Sequence, residues 1–103
     1  MFMARVRGNV VTTQKMEAMT GRKLLIVEPL CLDEKKAKFA PTAKSFVAVD
    51  SLGAGTDDLV LVTQGSSARM TDTTSDAPID CVVIGIIDTV NALGQQVYTK
   101  DGK

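Results

Sequence analysis

The sequence predicts a mainly β domain that closes into a small barrel. Three observations carry this reading: five or six short strand-like segments are separated by polar and glycine turns, no long amphipathic helix interrupts them, and several are apolar on both faces. Closing such strands on one another removes the exposed edges that otherwise pair with other chains.

Residues 3–13 alternate, with Ala4, Val6, Gly8 and Val10 on one face and Arg5, Arg7 and Asn9 on the other, the period of a half-buried strand. A polar connection over residues 12–21 leads into Lys23-Leu24-Leu25-Ile26-Val27, the second strand. Pro29 is expected to end it, because proline donates nothing to a ladder. Residues 32–44 are polar, carry Pro41 and set four lysines against two acids, so an exposed loop is expected there. Phe46-Val47-Ala48-Val49-Asp50 gives a third strand, residues 51–56 a tight glycine turn, and Leu59-Val60-Leu61-Val62-Thr63 a fourth strand.

Residues 65–70 begin with glycine and two serines and are expected to start one short turn of helix with a serine cap. Residues 71–80 form a polar loop with three aspartates and no cation. Cys81-Val82-Val83-Ile84-Gly85-Ile86-Ile87 is the strongest strand signal, and Asn91-Ala92-Leu93-Gly94 turns the chain into a last short strand around Gln96-Val97-Tyr98, a C-terminal hairpin. Neither a repeat nor a linker is visible, so residues 1–103 are expected to be a single domain.

Twelve basic and twelve acidic residues cancel, leaving no overall field to draw the chain onto phosphate backbones or anionic membranes. A nucleic-acid partner is not expected, and four aromatics are too few for a base-stacking surface. No apolar run reaches the roughly 18 to 20 residues of a membrane span, so no membrane partner and a cytoplasmic location are expected. Cys31 and Cys81 lie fifty positions apart without a CxxC pairing, the pattern of two reduced, unconnected thiols.

A core of this size leaves a thin stability margin unless partners add to it. The runs LLIV, LVLV and CVVIGII offer apolar side chains to both faces, whereas a small barrel takes only alternate side chains inside. With no long helix to cover the other face, neighbouring subunits are expected to do so.

Catalytic chemistry is poorly supplied. The chain has no histidine, which removes the commonest general base, the usual zinc ligand and the middle member of a Ser-His-Asp triad. The segment Gly65-Ser66-Ser67-Ala68-Arg69 looks like a nucleophile elbow but lacks the closing glycine and any base for the serine. Gly53-Ala54-Gly55 follows a strand as a dinucleotide fingerprint would, yet the third glycine and the following helix are missing. Asp57 and Asp58 lack the alternate acidic spacing of a metal loop and are expected to be solvated. The expectation is a chain that is not an enzyme, with no catalytic residue, no metal and no cofactor.

Four segments together resemble the EutN/CcmL family of bacterial microcompartment vertex proteins. They are Ala4-Arg5-Val6 through Gly8-Asn9-Val10-Val11-Thr12-Thr13-Gln14-Lys15; Gly21-Arg22-Lys23-Leu24-Leu25-Ile26-Val27; Ala48-Val49-Asp50-Ser51-Leu52-Gly53-Ala54-Gly55; and Gly65-Ser66-Ser67-Ala68-Arg69 on to Ile79-Asp80-Cys81-Val82-Val83-Ile84-Gly85-Ile86-Ile87-Asp88. The resemblance implies a five-stranded barrel like the oligonucleotide-binding fold, with one short helix. It also implies a structural shell protein: a homopentamer that caps the five-fold vertices of a carboxysome or metabolosome among hexameric shell proteins.

By the same resemblance the glycine turn lies toward the five-fold axis, which makes Gly53, Ala54 and Gly55 candidates for the pore-proximal loop, where missing side chains let five backbones approach. An ordinary hairpin turn explains the same residues. Where family members often have Gly-Glu after this turn, this chain has Asp57-Asp58. Arg69 and Asp88 lie in matched motifs and carry opposite charge; each either fixes geometry near a subunit boundary or sits on the surface as an ordinary exposed charge. Two other readings stand beside the vertex cap. One is a soluble barrel binding a small ligand or single-stranded nucleic acid, and the other is an accessory subunit of an enzyme.

Overall fold

Alternating apolar residues build the centre of the molecule. In the computed structural model, which describes residues 1–13, 22–65 and 80–100, Ala4 and Val6 of β1 (Phe2–Val10), Leu25 and Val27 of β2 (Lys23–Asp33) and Ala48 of β4 (Phe46–Asp50) point into one core. Val60 and Val62 of β5 (Leu59–Gln64) join them, with Cys81 and Val83 of β6 (Cys81–Ile86). Every one of these side chains is at most 5% exposed.

The strands run β1-β5-β6-β4-β2, and β1 pairs with β2 to close a five-stranded barrel. All neighbours are antiparallel except β4 and β6, which run parallel and meet at Val49 and Val82. The five expected strands are therefore present, and they form the closed barrel that the resemblance implies.

A sixth strand, β3 (Lys38–Pro41), lies where a loop is expected. β2 runs past Pro29 to Asp33 and folds back on β3, pairing Leu30 with Pro41 and Leu32 with Phe39. Proline does not end the strand because it sits where β2 passes from β4 to β3. There its missing N–H costs no bond, and its carbonyl accepts from the amide and the hydroxyl of Thr42, the latter at 2.9 Å. The Asp33 carboxylate accepts the amides of Lys35 and Lys36 to turn the chain, and Ala37 takes a left-handed φ of 52°. The lysines of this segment are exposed as expected, but on a hairpin.

The alternation of β1 holds only to Val6. A bulge between Val6 and Gly8 leaves Arg7 as the extra residue, after which Gly8 pairs with Ile26 on the outer side of the barrel. A one-residue bulge reverses every later side chain, so Gly8 and Val10 leave the core face that strict alternation assigned them.

The C-terminal hairpin is present as β7 (Thr89–Ala92) and β8 (Gln95–Thr99), a separate two-stranded sheet. Its turn is Leu93-Gly94, with φ of 55° and 76°. The short helix expected over residues 65–70 falls beyond Gly65 on residues outside those described; among the described residues there is no helix. None of the described residues forms a helix long and apolar enough to cross a membrane.

Candidate functional site

The loop between β4 and β5 is built by two carboxylates. Asp50, 3% exposed at the end of β4, accepts the amide of Leu52 at 2.8 Å and that of Ala54 at 2.7 Å. Asp58 accepts the amide of Gly55 at 2.8 Å, and its own amide donates to the Gly55 carbonyl. The Lys23 ammonium donates to the Ala54 carbonyl at 2.9 Å. Charge-assisted bonds of this kind are roughly twice as strong as neutral ones, so the loop has one fixed shape.

A second set of bonds pins this loop to β1. The Asp57 amide donates to the Val6 carbonyl, the Val6 amide to the Asp58 carbonyl, and the Arg5 guanidinium to the Asp57 carbonyl at 2.9 Å. Arg7, lifted outward by the bulge, pairs with Glu28 at 2.9 Å and lies 3.9 Å from the Asp57 carboxylate. The Asp57 side chain is 75% exposed, as expected for a solvated acid, whereas Asp58 is committed to Gly55.

The three candidate loop residues divide into different roles. Ala54 is fully buried in the core, so its side chain anchors the loop from below. Gly53 is exposed with φ +86°, a conformation that side chains resist, although an added Cβ meets nothing within 4 Å. Gly55 has no such conformation, and a Cβ there makes only ordinary contact with Asp58 at 3.8 Å. Within one chain Gly53 is required by its backbone, and Gly55 is not required at all.

That contrast gives a prediction. Gly53→Ala should destabilise the barrel by about 1 kcal/mol or somewhat more. Gly55→Ala should leave the melt of the barrel within about 0.5 kcal/mol of the parent. If Gly55 lies where neighbouring backbones approach, Gly55→Ala should instead weaken assembly, read by light scattering on dilution.

Of the other two candidates, Asp88 is exposed between β6 and β7, and its carbonyl accepts the Lys100 amide at 2.7 Å, closing the base of the hairpin. Arg69 lies outside the described residues. Sequence reasoning missed Asp50, Lys23 and Asp58 as loop holders. An aspartate directly before a serine-and-glycine turn, free to bond amides two residues on, was the available signal for Asp50.

The outer face is less bare than its composition implies. Leu59, Val49 and Val82 point away from the core residues beside them yet are at most 4% exposed, so the chain covers them itself. The expectation that neighbours cover the whole outer face therefore narrows to the ends of one outer diagonal. Val47 is 52% and Ile84 37% exposed there, beside the half-buried Leu24 and Ile26. Both cysteines are free, Cys31 exposed and Cys81 buried, and burial followed by the nearby Asp80 charge pushes the Cys81 thiol up. No cluster of metal-binding side chains occurs among the described residues.

Residues 1–88 match the family model described as ethanolamine utilisation protein EutN/carboxysome. The chain belongs to the EutN/CcmL family. Within it, the chain is 43% identical over 105 residues to the carboxysome shell vertex protein CcmL of Synechocystis, covering 100% of both. Among solved structures it is similar to Gloeobacter violaceus CcmL, with a TM-score of 0.86 and 42% identity over 98% of this chain and 99% of that one. It is also similar to the pentameric microcompartment shell protein GrpN of Rhodospirillum rubrum, with a TM-score of 0.73 and 40% identity over 90% and 99%. The matched residues hold all five strands of the barrel and the glycine loop.

Proposed function

We propose that the chain is a structural, non-enzymatic shell protein whose pentamers cap the five-fold vertices of a bacterial microcompartment in the cytoplasm. The observation that carries this reading is the end-to-end likeness to vertex proteins, one of whose relatives is a pentameric shell protein of the same barrel fold. The absence of histidine from the sequence supports a role without catalysis. On this reading residues 1–103 act as one domain, and hexameric shell proteins are the partners around each cap.

A five-membered ring uses a heterologous interface, in which one patch of each subunit meets a different patch of the next. Val47 and Ile84 lie on one such patch. Gly53 and Gly55, with Ala54 as their buried anchor, face the five-fold axis, and Arg69 and Asp88 stand near the subunit boundary. Light scattering on the purified protein should give five copies of 11.0 kDa, about 55 kDa, at low and high ionic strength alike. A clean monomer in solution and in the presence of hexameric shell proteins would overturn the reading in favour of a ligand-binding barrel.

A further inference from the structure

The β7–β8 hairpin has the properties of a surface that is covered in the assembly. No residue in it is buried by its own chain: Val90, Ala92, Val97, Tyr98 and Thr99 are half-buried, and the others are exposed. A lone two-stranded hairpin is at best marginally stable in water. Both of its strands are edges, and edges that face water are normally guarded by charges or proline. The eleven residues from Thr89 to Thr99 contain neither, in a chain that is 23% charged.

The tip is the sharper observation. Ala92 pairs with Gln95, so Leu93-Gly94 is a two-residue turn with both φ values positive, the geometry that favours Asn-Gly or Gly-Gly. Leucine in this conformation is disfavoured, and here its side chain is 50% exposed. Leu93 is not buried by its own chain, although β8 lies against β3. Strained backbone of this kind persists where something outside the local structure holds it.

We propose that the hairpin is an arm that seats Leu93 and Tyr98 on the neighbouring copy of this chain in the ring. The inference rests on the pentamer reading and supplies what that reading lacks, the second and different patch of a heterologous interface. An uncharged arm with an apolar tip and a tyrosine flank matches the composition of interface cores, which are poor in charge and rich in aromatics. The exposed Val47 and Ile84 are the apolar surface that each chain offers in return.

The test uses the full chain. Tyr98 is the only tyrosine and there is no tryptophan, so tyrosine-selective emission reports the arm alone. Iodide should quench Tyr98 several-fold less in the assembled protein than after dilution to monomer. Leu93→Asn separates the arm from folding, because asparagine suits the turn better than leucine does. The variant should melt at or above the parent temperature as a monomer, yet need about tenfold or more higher concentration to assemble. Equal quenching in both states, or a Leu93→Asn pentamer that dissociates like the parent, overturns the arm while leaving the pentamer intact. A parent chain that never assembles overturns the vertex reading itself.

Discussion

Replacing Asp50 with alanine should unfold the glycine loop and lower the stability of the barrel by about 2 to 3 kcal/mol, since the buried amide of Ala54 and the partly buried amide of Leu52 lose a charged acceptor at once. For a domain of this size that corresponds to a fall of roughly 10 to 20 °C in Tm. Asp50→Asn keeps one acceptor oxygen but turns an N–H toward the second amide, so its loss should fall between parent and Asp50→Ala. Thermal denaturation followed by circular dichroism checks both. A fall of less than about 1 kcal/mol for Asp50→Ala would mean that Lys23 and Asp58 hold the loop without it. Because the loop carries Gly53 and Gly55, the same variant should also lose the 55 kDa species at concentrations where the parent keeps it.

The second large effect concerns assembly rather than folding. Ile84 is 37% exposed in the single chain, so Ile84→Asp should change the melt of the barrel by no more than about 1 kcal/mol. If Ile84 lies in the proposed interface, the new carboxylate would be buried there against apolar neighbours without a partner, at a cost of several kcal/mol, or roughly a hundredfold to a thousandfold in assembly. Val47→Asp, at the other end of the same outer diagonal, should act in the same direction. Light scattering across a dilution series reads the shift, and pentamers of Ile84→Asp that persist at parent concentrations would remove this face from the interface.

Most of the barrel was legible because its strands announce themselves locally. Leu59 to Thr63 is a short apolar, valine-rich run after a turn, and Phe46 to Asp50 ends at a glycine turn, so strand propensity and turn chemistry place them. The misses share one cause, which is that pairing partners override local signals. Pro29 looks like a stop only until β3 is known to take over where β4 ends, and β3 carries Lys38 and Pro41, residues that an edge strand tolerates. The bulge at Arg7 leaves no mark in the alternation of β1, so the shift of Gly8 to the outside was invisible. In the loop, the family motif pointed to Gly53, Ala54 and Gly55 but not to the carboxylates beneath them, since bonds from Asp50 and Asp58 depend on how the chain turns back over itself.

One feature of the barrel bears on how it breathes. Four of its five seams are antiparallel ladders of several residue pairs, but β4 and β6 pair only at Val49 and Val82 among the described residues. Cooperative units of a protein open where the fewest bonds hold them, so the cylinder should unzip here first, opening to a curled sheet while the other ladders stay closed. The amides of β6 that face this seam should then exchange with deuterated solvent well before those of β1 and β5. Ile84 follows the seam directly, so in the proposed ring a neighbour seated on Ile84 would act as a clasp across the joint that is weakest in isolation.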